Sequence, residues 1–134
     1  MLNNNYNFPK EQRLKSRKQI EQLFAEGKQF SVFPFKVFWL PVNKAETLQV
    51  AVAVSSRNFK KATDRNRIKR QMREAWRLQK NKLDSLVLKN QQQFSVFILY
   101  TGKELPAYSM VSGKIKLVIE RLIKTCNGAS EKNI

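Results

Sequence analysis

Histidine is absent from this chain of 134 residues, and cysteine occurs only once, at Cys126. The missing imidazole removes the commonest general base and metal ligand, together with every Ser-His or Cys-His catalytic arrangement. A single cysteine excludes an intramolecular disulfide framework and a zinc site built from several thiolates. The four glycines form no glycine-rich phosphate-binding loop. The usual signatures of self-contained catalysis are therefore missing.

Acidic residues are also scarce, with 10 Asp and Glu against 26 Lys and Arg, which gives a net charge of +16. The acids are scattered and form no closely spaced pair suited to metal binding or acid–base catalysis. Self-repulsion at this charge costs stability and is usually tolerated where a polyanion neutralises it. The composition therefore favours a nucleic-acid-binding protein over an enzyme that works alone.

Long apolar runs are missing as well. No stretch approaches the roughly 18 apolar residues of a membrane helix, and the N-terminus lacks the apolar core of a signal peptide. Hydrophobic residues still make up 42% of the chain, which suits a folded globule. We therefore expect one nucleic-acid-binding domain over residues 1–134, located in the cytoplasm, with no membrane partner and no evident obligate protein partner. Residues 1–12 are expected to form an irregular arm, and residues 126–134 a frayed tail.

The hydrophobic pattern predicts the element order α-β-β-α-β-α, an α/β (α+β) sandwich with helices packed on one small mixed sheet. Residues 83–93 contain too few apolar positions to be assigned. The first predicted elements are a helix from a Ser16 cap to Gly27 and an aromatic strand over 30–42, with Pro34 at an edge or bulge. A turn over 43–46 and a strand over 48–55 follow. The remaining elements are a helix from a Thr63 or Asp64 cap to about 80–82, a central strand over 94–100 and a final helix after Pro106.

The helix predicted after Asp64 carries the densest cluster of cations. At about 100° per residue, one stripe lies beside an apolar stripe that contains Ile68, Met72 and Trp76, and its members are Asn66, Lys69, Arg70, Arg73, Arg77 and Lys80. A solvated charged face usually alternates in sign to gain i,i+4 ion pairs, and this face does not. Because guanidinium groups suit bidentate contacts to phosphate, the pattern predicts a nucleic-acid interface.

Aromatic residues are concentrated between Phe30 and Trp39. On a strand they usually belong to the core, but they also provide stacking platforms for unpaired bases. With so many aromatics in one short segment, both faces of the strand must carry some of them. The pattern therefore leaves room for one or two at a surface groove.

A specific signature lies within the cationic helix: the run Arg65-Asn66-Arg67-Ile68-Lys69-Arg70, followed by Arg73, Glu74 and Arg77. This run closely resembles the signature helix of the protein subunit of bacterial ribonuclease P. The valine-rich strand and basic linker over 50–62 resemble the same family, and the resemblance extends over about residues 8–125. It implies a compact fold in which parallel strands are joined by a left-handed βαβ crossover, against the usual right-handed rule.

The resemblance also implies a function. In that family the RNA subunit cleaves the 5′ leader from precursor tRNA with Mg²⁺, and the protein is the non-catalytic subunit that binds this RNA and the leader. Mg²⁺ is thus implied as a cofactor held through the RNA subunit, with no metal site and no catalytic residue assigned to the protein. The implied contacts to the catalytic RNA are Arg65, Asn66, Arg67, Lys69, Arg70, Arg73 and Arg77, with Arg57, Lys60 and Lys61 of the basic linker.

The family places the single-stranded leader in a cleft between the first helix and the central sheet. The matching positions here are Phe24 and Phe38, together with Lys36 and Val52. One alternative is a ribosomal-type structural RNA-binding protein without a role in tRNA processing, which shares the charge and size. A DNA-binding regulator is the other, although no helix-turn-helix spacing accompanies the basic helix.

Overall fold

A computed structural model describes residues 13–14, 17–41, 49–90 and 94–132, without the side chains of 88, 90 and 126–132. The predicted arm over 1–12, the Ser16 cap and the turn over 43–46 lie outside the described residues. The α/β class with one mixed sheet is confirmed, and the structure adds one strand and one helix to the predicted order. The elements are α1 (Arg17–Glu26), β1 (Lys28–Val32), β2 (Phe35–Pro41), β3 (Gln49–Val54), α2 (Ala62–Gln79), α3 (Asn81–Asn90), β4 (Phe94–Tyr100) and α4 (Tyr108–Lys132).

The described strands form one sheet in the order β1-β2-β4-β3. β1 pairs antiparallel with β2, and β2 pairs antiparallel with β4. β3 and β4 are parallel neighbours, and the chain between them passes through α2 and α3. This is the parallel pair that a βαβ crossover requires; the handedness of the crossover stays a prediction.

The additional strand arises because the aromatic segment predicted as one strand is a hairpin. β1 and β2 pair around a turn at Phe33 and Pro34, with Val32 opposite Phe35, and the Phe33–Pro34 peptide bond is cis. Proline has no backbone N–H and a fixed φ, so it interrupts a strand and suits a turn. The prediction of an edge or bulge at Pro34 located the interruption but missed the reversal of the chain.

The additional helix is α3, formed by residues that the sequence left unassigned. Its Leu83 and Val87, one turn apart, are both buried in the main core. The final helix α4 continues to Lys132, so residues 126–132, expected as a frayed tail, are helical. Once a helix is nucleated, further residues add at little cost, and alanine, glutamate and lysine are good helix formers. Within the described residues, no helix is long and apolar enough to span a membrane.

The two faces of the sheet are covered differently. Helices α2 and α4 cover one face, α3 packs against both of them, and all three contribute to a single apolar cluster that includes Val37, Trp76 and Ile98. α1 lies against β2 and β4 on the other face, where Leu23 is fully buried. α1 ends at Glu26, directly before the predicted stop at Gly27, where a Cβ would collide with the carbonyl oxygen of Leu23 and approach that of Trp39 to 3.1 Å. The narrow α1 leaves part of this second face open.

Candidate nucleic-acid interface

The cationic helix α2 is fixed in rotation by its apolar stripe. Ile68, Met72, Ala75 and Trp76 are almost completely buried, so the rest of the helix surface faces outward, with Arg67, Arg70 and Arg73 opposite the buried stripe. Burying a large apolar side chain contributes about 1.5–3 kcal/mol, which makes this orientation strongly preferred. The exposed or half-exposed side chains on the emerging face are Arg65, Asn66, Arg67, Lys69, Arg70, Arg73 and Arg77.

The start of α2 differs from the prediction. The helix begins at Ala62 with Lys61 as the N-cap residue, and no side chain caps it. Thr63 and Asp64, predicted as caps, lie inside the first turn because the helix starts earlier than the sequence suggested. A carboxylate in the first turn still interacts favourably with the helix dipole. The basic side chains of Lys60 and Lys61 are exposed just before the helix.

Three exposed arginines of α2 form no ion pair in the described part of the chain. Among the described residues, no carboxylate lies within ion-pair distance of Arg67, Arg70 or Arg73. Lys69 on the same helix also has no such partner in that part of the chain. Uncompensated cations on one helix face repel each other and attract an external polyanion. This face therefore has the electrostatic character that phosphate binding requires.

Arg77 differs from the other cations because Glu74 neutralises it. Its Nε and Nη2 donate to the two carboxylate oxygens of Glu74 at 3.1 and 2.5 Å. The hydrogen bond from Arg77 lowers the pKa of Glu74, against the opposing effect of desolvation. The same bond raises the pKa of Arg77 above its usual value. The C-terminal end of the face is therefore less positive than its N-terminal part.

Lys80, predicted at the end of the cationic stripe, is not on this surface. Its side chain is only 3% exposed, and its Nζ lies 2.8 Å from Oδ2 of Asp84 on α3. The stripe stops here because α2 ends at Gln79 and the next helix packs against it. Burial raises the pKa of Asp84, while the hydrogen bond and charge of Lys80 lower it. Lys80 therefore joins two helices and does not face an external anion.

The linker between β3 and α2 is held in place by Arg65. Its Nη1 donates to the carbonyl oxygens of Phe59 at 2.7 Å and Lys60 at 2.9 Å. The Phe59 side chain is buried, and the centroid of its ring lies 6.1 Å from that of the Tyr100 ring. Arg57 of the same linker is exposed. Arg65 was predicted as an RNA contact, and its geometry gives it the additional role of positioning a basic linker.

A second candidate surface lies on the sheet face beside α1. The rings of Phe24 and Phe38 are 4.9 Å apart between centroids, and the ring of Phe97 lies 5.0 Å from that of Phe24. Phe24 is 51% exposed, so this aromatic cluster is open to solvent. The Nζ of Lys36 lies 5.6 Å from the ring centroid of Phe38. An exposed aromatic cluster beside an ammonium group suits an unpaired base and its phosphate.

Strand pairing determines which side chains of the sheet lie on this surface. Phe38 pairs with Phe97, and Phe97 pairs in turn with Ala51 on β3, so these side chains share one face. Ala53 is two residues further along the same face. Small side chains on β3 beside large rings on β2 and β4 make an open, one-sided groove.

Val52 is the one predicted cleft residue that the structure places elsewhere. It pairs with Ile98, which is fully buried, and packs against the main core under α2 and α4. Because side chains alternate along a strand, Val52 points away from the face that carries Phe38. Phe97 takes its place in the aromatic cluster. The sequence did not single out Phe97, because its strand is apolar on both faces and the alternation is hidden.

Comparisons with known proteins support one family. The family model described as Ribonuclease P matches residues 8–122 of the chain. The ribonuclease P protein component of Porphyromonas gingivalis (strain ATCC 33277) is 29% identical over 130 residues, covering 96% of this chain and 95% of that protein. The ribonuclease P protein component of Chlorobium phaeobacteroides is 29% identical over 121 residues, covering 81% and 83%.

Solved structures show the same fold. The RNase P protein from Thermotoga maritima has a TM-score of 0.64 at 25% identity, covering 81% of this chain and 96% of that one. An RNase P protein from Staphylococcus aureus has a TM-score of 0.68 at 15% identity, covering 83% and 94%. At such low identity the second likeness concerns the fold alone.

Proposed function

We propose a specific role for this chain within ribonuclease P, because it belongs to the ribonuclease P protein family. In this role it is the protein subunit of the cytoplasmic enzyme and binds the catalytic RNA and the 5′ leader of precursor tRNA. In this proposal the RNA subunit performs the cleavage with Mg²⁺ bound through RNA, and the protein supplies binding and orientation. The main support is the exposed cationic face of α2, because Arg67, Arg70 and Arg73 have no acidic partner among the described residues.

The two candidate surfaces have different chemistry, which favours a division between two RNA elements. The cationic face of α2 offers guanidinium groups without aromatic rings, which suits the phosphates of a folded RNA. The groove with Phe24, Phe38 and Phe97 offers stacking, which needs unpaired bases. We assign the catalytic RNA to the first surface and the single-stranded leader to the second, with Lys36 close to the leader phosphates.

Recovery of the bound RNA tests this proposal against a ribosomal-type RNA-binding protein. The tagged chain is purified from its own cells under conditions that preserve complexes, and the bound RNA is sequenced. We expect enrichment of the ribonuclease P RNA and of precursor tRNA with unprocessed 5′ ends. An Arg67→Ala, Arg73→Ala double variant, purified in parallel, is the matched control and should lose most of this enrichment. Recovery of ribosomal RNA alone would contradict the proposal.

A further inference from the structure

The tip of the β1–β2 hairpin exposes an aromatic side chain that neither RNA surface uses. Phe33 is 76% exposed, while its neighbours Pro34 and Phe35 are buried. It is the most exposed of the large hydrophobic side chains in the described part of the chain. Its position outside the aromatic groove follows from the hairpin, because the turn lies beyond the last paired residues, Val32 and Phe35.

The backbone that presents Phe33 is fastened to the neighbouring loop. Both the backbone N–H and the hydroxyl of Thr101 donate to the carbonyl oxygen of Pro34, at 2.8 and 3.0 Å. The loop itself packs tightly, since a Cβ at Gly102 would clash with the ring of Tyr100. The Tyr100 hydroxyl also donates to the carbonyl oxygen of Glu104 at 2.7 Å. The backbone next to Phe33 is therefore held in place by hydrogen bonds, which lowers the conformational-entropy cost of binding through this side chain.

The same loop is connected to the basic linker before α2. The Nδ2 of Asn58 donates to the carbonyl oxygens of Thr101 at 3.3 Å and Gly102 at 3.2 Å. Hairpin tip, loop and linker are thus joined at the end of the sheet where β3 and β4 terminate. Across these three segments the charged side chains are four cations and a single carboxylate: Arg57, Lys60, Lys61 and Lys103 against Glu104.

We propose that Phe33 is a stacking platform for one unpaired nucleotide of an RNA strand whose phosphates lie against Arg57 and Lys103. The inference rests on the proposed function and adds a third contact at the end of the sheet. An exposed ring beside an excess of cations matches how proteins hold single-stranded nucleic acid. A folded protein partner would instead require a wider apolar area around the ring, whereas Arg57 and Lys103 are both exposed and charged.

The test measures RNA affinity of Phe33 variants in two assays. The first is binding of the full chain to the ribonuclease P RNA, and the second is binding of the assembled complex to precursor tRNA and to mature tRNA. Phe33→Ala should lose at least about fivefold in one assay, the lower end of what one base–aromatic stack contributes. Phe33→Trp should keep the affinity, and Phe33→Leu should lose as much as Phe33→Ala. A loss in the first assay assigns the nucleotide to the catalytic RNA, and a loss with precursor alone assigns it to the leader.

Controls separate this inference from the proposed function. Leu117→Ala truncates another exposed apolar side chain, on α4, and should change neither affinity. Arg67→Ala should weaken binding of the catalytic RNA in the same assays. If Arg67→Ala weakens this binding while the RNA affinity of Phe33→Ala stays within about twofold of the unmodified chain in both assays, the inference about Phe33 fails and the proposed function stands. Unchanged RNA affinity of Phe33→Leu would also contradict a stacking role for Phe33. A Phe33 variant that changes the oligomeric state of the chain without changing its RNA affinity would contradict it as well.

Discussion

The ring of Phe24 on α1 meets the ring of Phe38 on β2 at 75°, with the centroids 4.9 Å apart. This edge-to-face contact joins the helix to the open face of the sheet, and Phe97 extends it at 5.0 Å from Phe24. Both rings therefore stabilise the position of α1 and, in our proposal, contact the leader. A test of the groove must separate these two roles.

The groove predicts a difference between two RNA substrates. Phe38→Ala should weaken binding of precursor tRNA by the assembled complex by about fivefold or more, because one base–aromatic stack is lost. Binding of mature tRNA, which has no leader, should be unchanged. Equilibrium binding of both substrates measures the effect, and urea unfolding of the variant reports any loss of packing. Equal losses for the two substrates would count against a leader groove.

The Arg77–Glu74 pair predicts a variant that binds RNA more tightly. Glu74→Gln removes a negative charge from the cationic face and frees the guanidinium of Arg77 from a bidentate contact. Affinity for the catalytic RNA should rise by about two- to fivefold at low salt and by less at high salt, because the pair is at the surface. Arg73→Ala, which removes a cation without an acidic partner among the described residues, is the opposite control and should lower affinity and reduce the salt slope by about one. Weaker binding by Glu74→Gln would contradict this electrostatic account.

Arg65 is predicted to act through the linker as well as by its charge. Arg65→Lys keeps the charge, but the lysine side chain is one bond shorter and its ammonium does not reach the two backbone carbonyls to which Nη1 of Arg65 donates. Affinity for the catalytic RNA should therefore fall nearly as far in Arg65→Lys as in Arg65→Ala. Hydrogen exchange at the linker amides should become faster in both variants.

Arg67→Lys is the matched control for Arg65, because Arg67 is exposed and makes no backbone bond in the described part of the chain. It should retain most of the affinity and leave linker exchange unchanged. If Arg65→Lys behaves like Arg67→Lys in both measurements, Arg65 is an ordinary phosphate contact.

The Lys80–Asp84 pair predicts an asymmetry in stability. Asp84→Ala leaves the ammonium of Lys80 buried without a partner and should cost roughly 3 kcal/mol of unfolding free energy. Lys80→Met should cost less, because the side chain of Asp84 is 24% exposed and keeps some contact with water. The double variant Lys80→Met, Asp84→Leu should be close to the unmodified chain in stability. Urea unfolding measures all three, and equal costs for the two single variants would contradict the burial argument.

The same pair predicts a pH dependence with a definite sign. Burial raises the pKa of Asp84 above its usual value of 3.8, so the folded chain holds this proton where the unfolded chain has released it. The part of the contribution of Asp84 to stability that depends on its proton is therefore greatest at low pH and is lost as the pH rises through the raised pKa. The difference in unfolding free energy between the unmodified chain and Asp84→Asn should follow this direction. The opposite slope would show that the attraction of Lys80 outweighs desolvation.

The sequence was most informative where the pattern is local. The cationic and apolar stripes of α2 repeat at helical spacing within one segment, so the exposure of Arg67 and Arg73 was predictable from periodicity alone. The stop at Gly27, directly after α1, was predictable because glycine commonly follows the last residue of a helix. Lys80 was misplaced because its burial depends on where α2 ends and on the packing of α3, which the sequence left unassigned.

The sheet was harder to predict because its geometry depends on distant pairing. Val52 and Phe97 lie in strands with apolar residues on both faces, so the sequence does not show which face meets the core. Their faces are set by pairing across β3, β4 and β2, between segments far apart in the chain. The reversal at Phe33 and Pro34 was missed because aromatic residues, without a polar turn signal, lie on both sides of it.

Reconstituted cleavage of precursor tRNA tests the central claim most directly. The purified chain, the ribonuclease P RNA from the same source, and both together are incubated with precursor tRNA at low Mg²⁺, and release of the 5′ leader is followed over time. We expect no cleavage by the chain alone, slow cleavage by the RNA alone and fast, correctly placed cleavage by the two together. Cleavage by the ribonuclease-treated, RNA-free chain, or no stimulation of the RNA by a folded chain, would contradict the account.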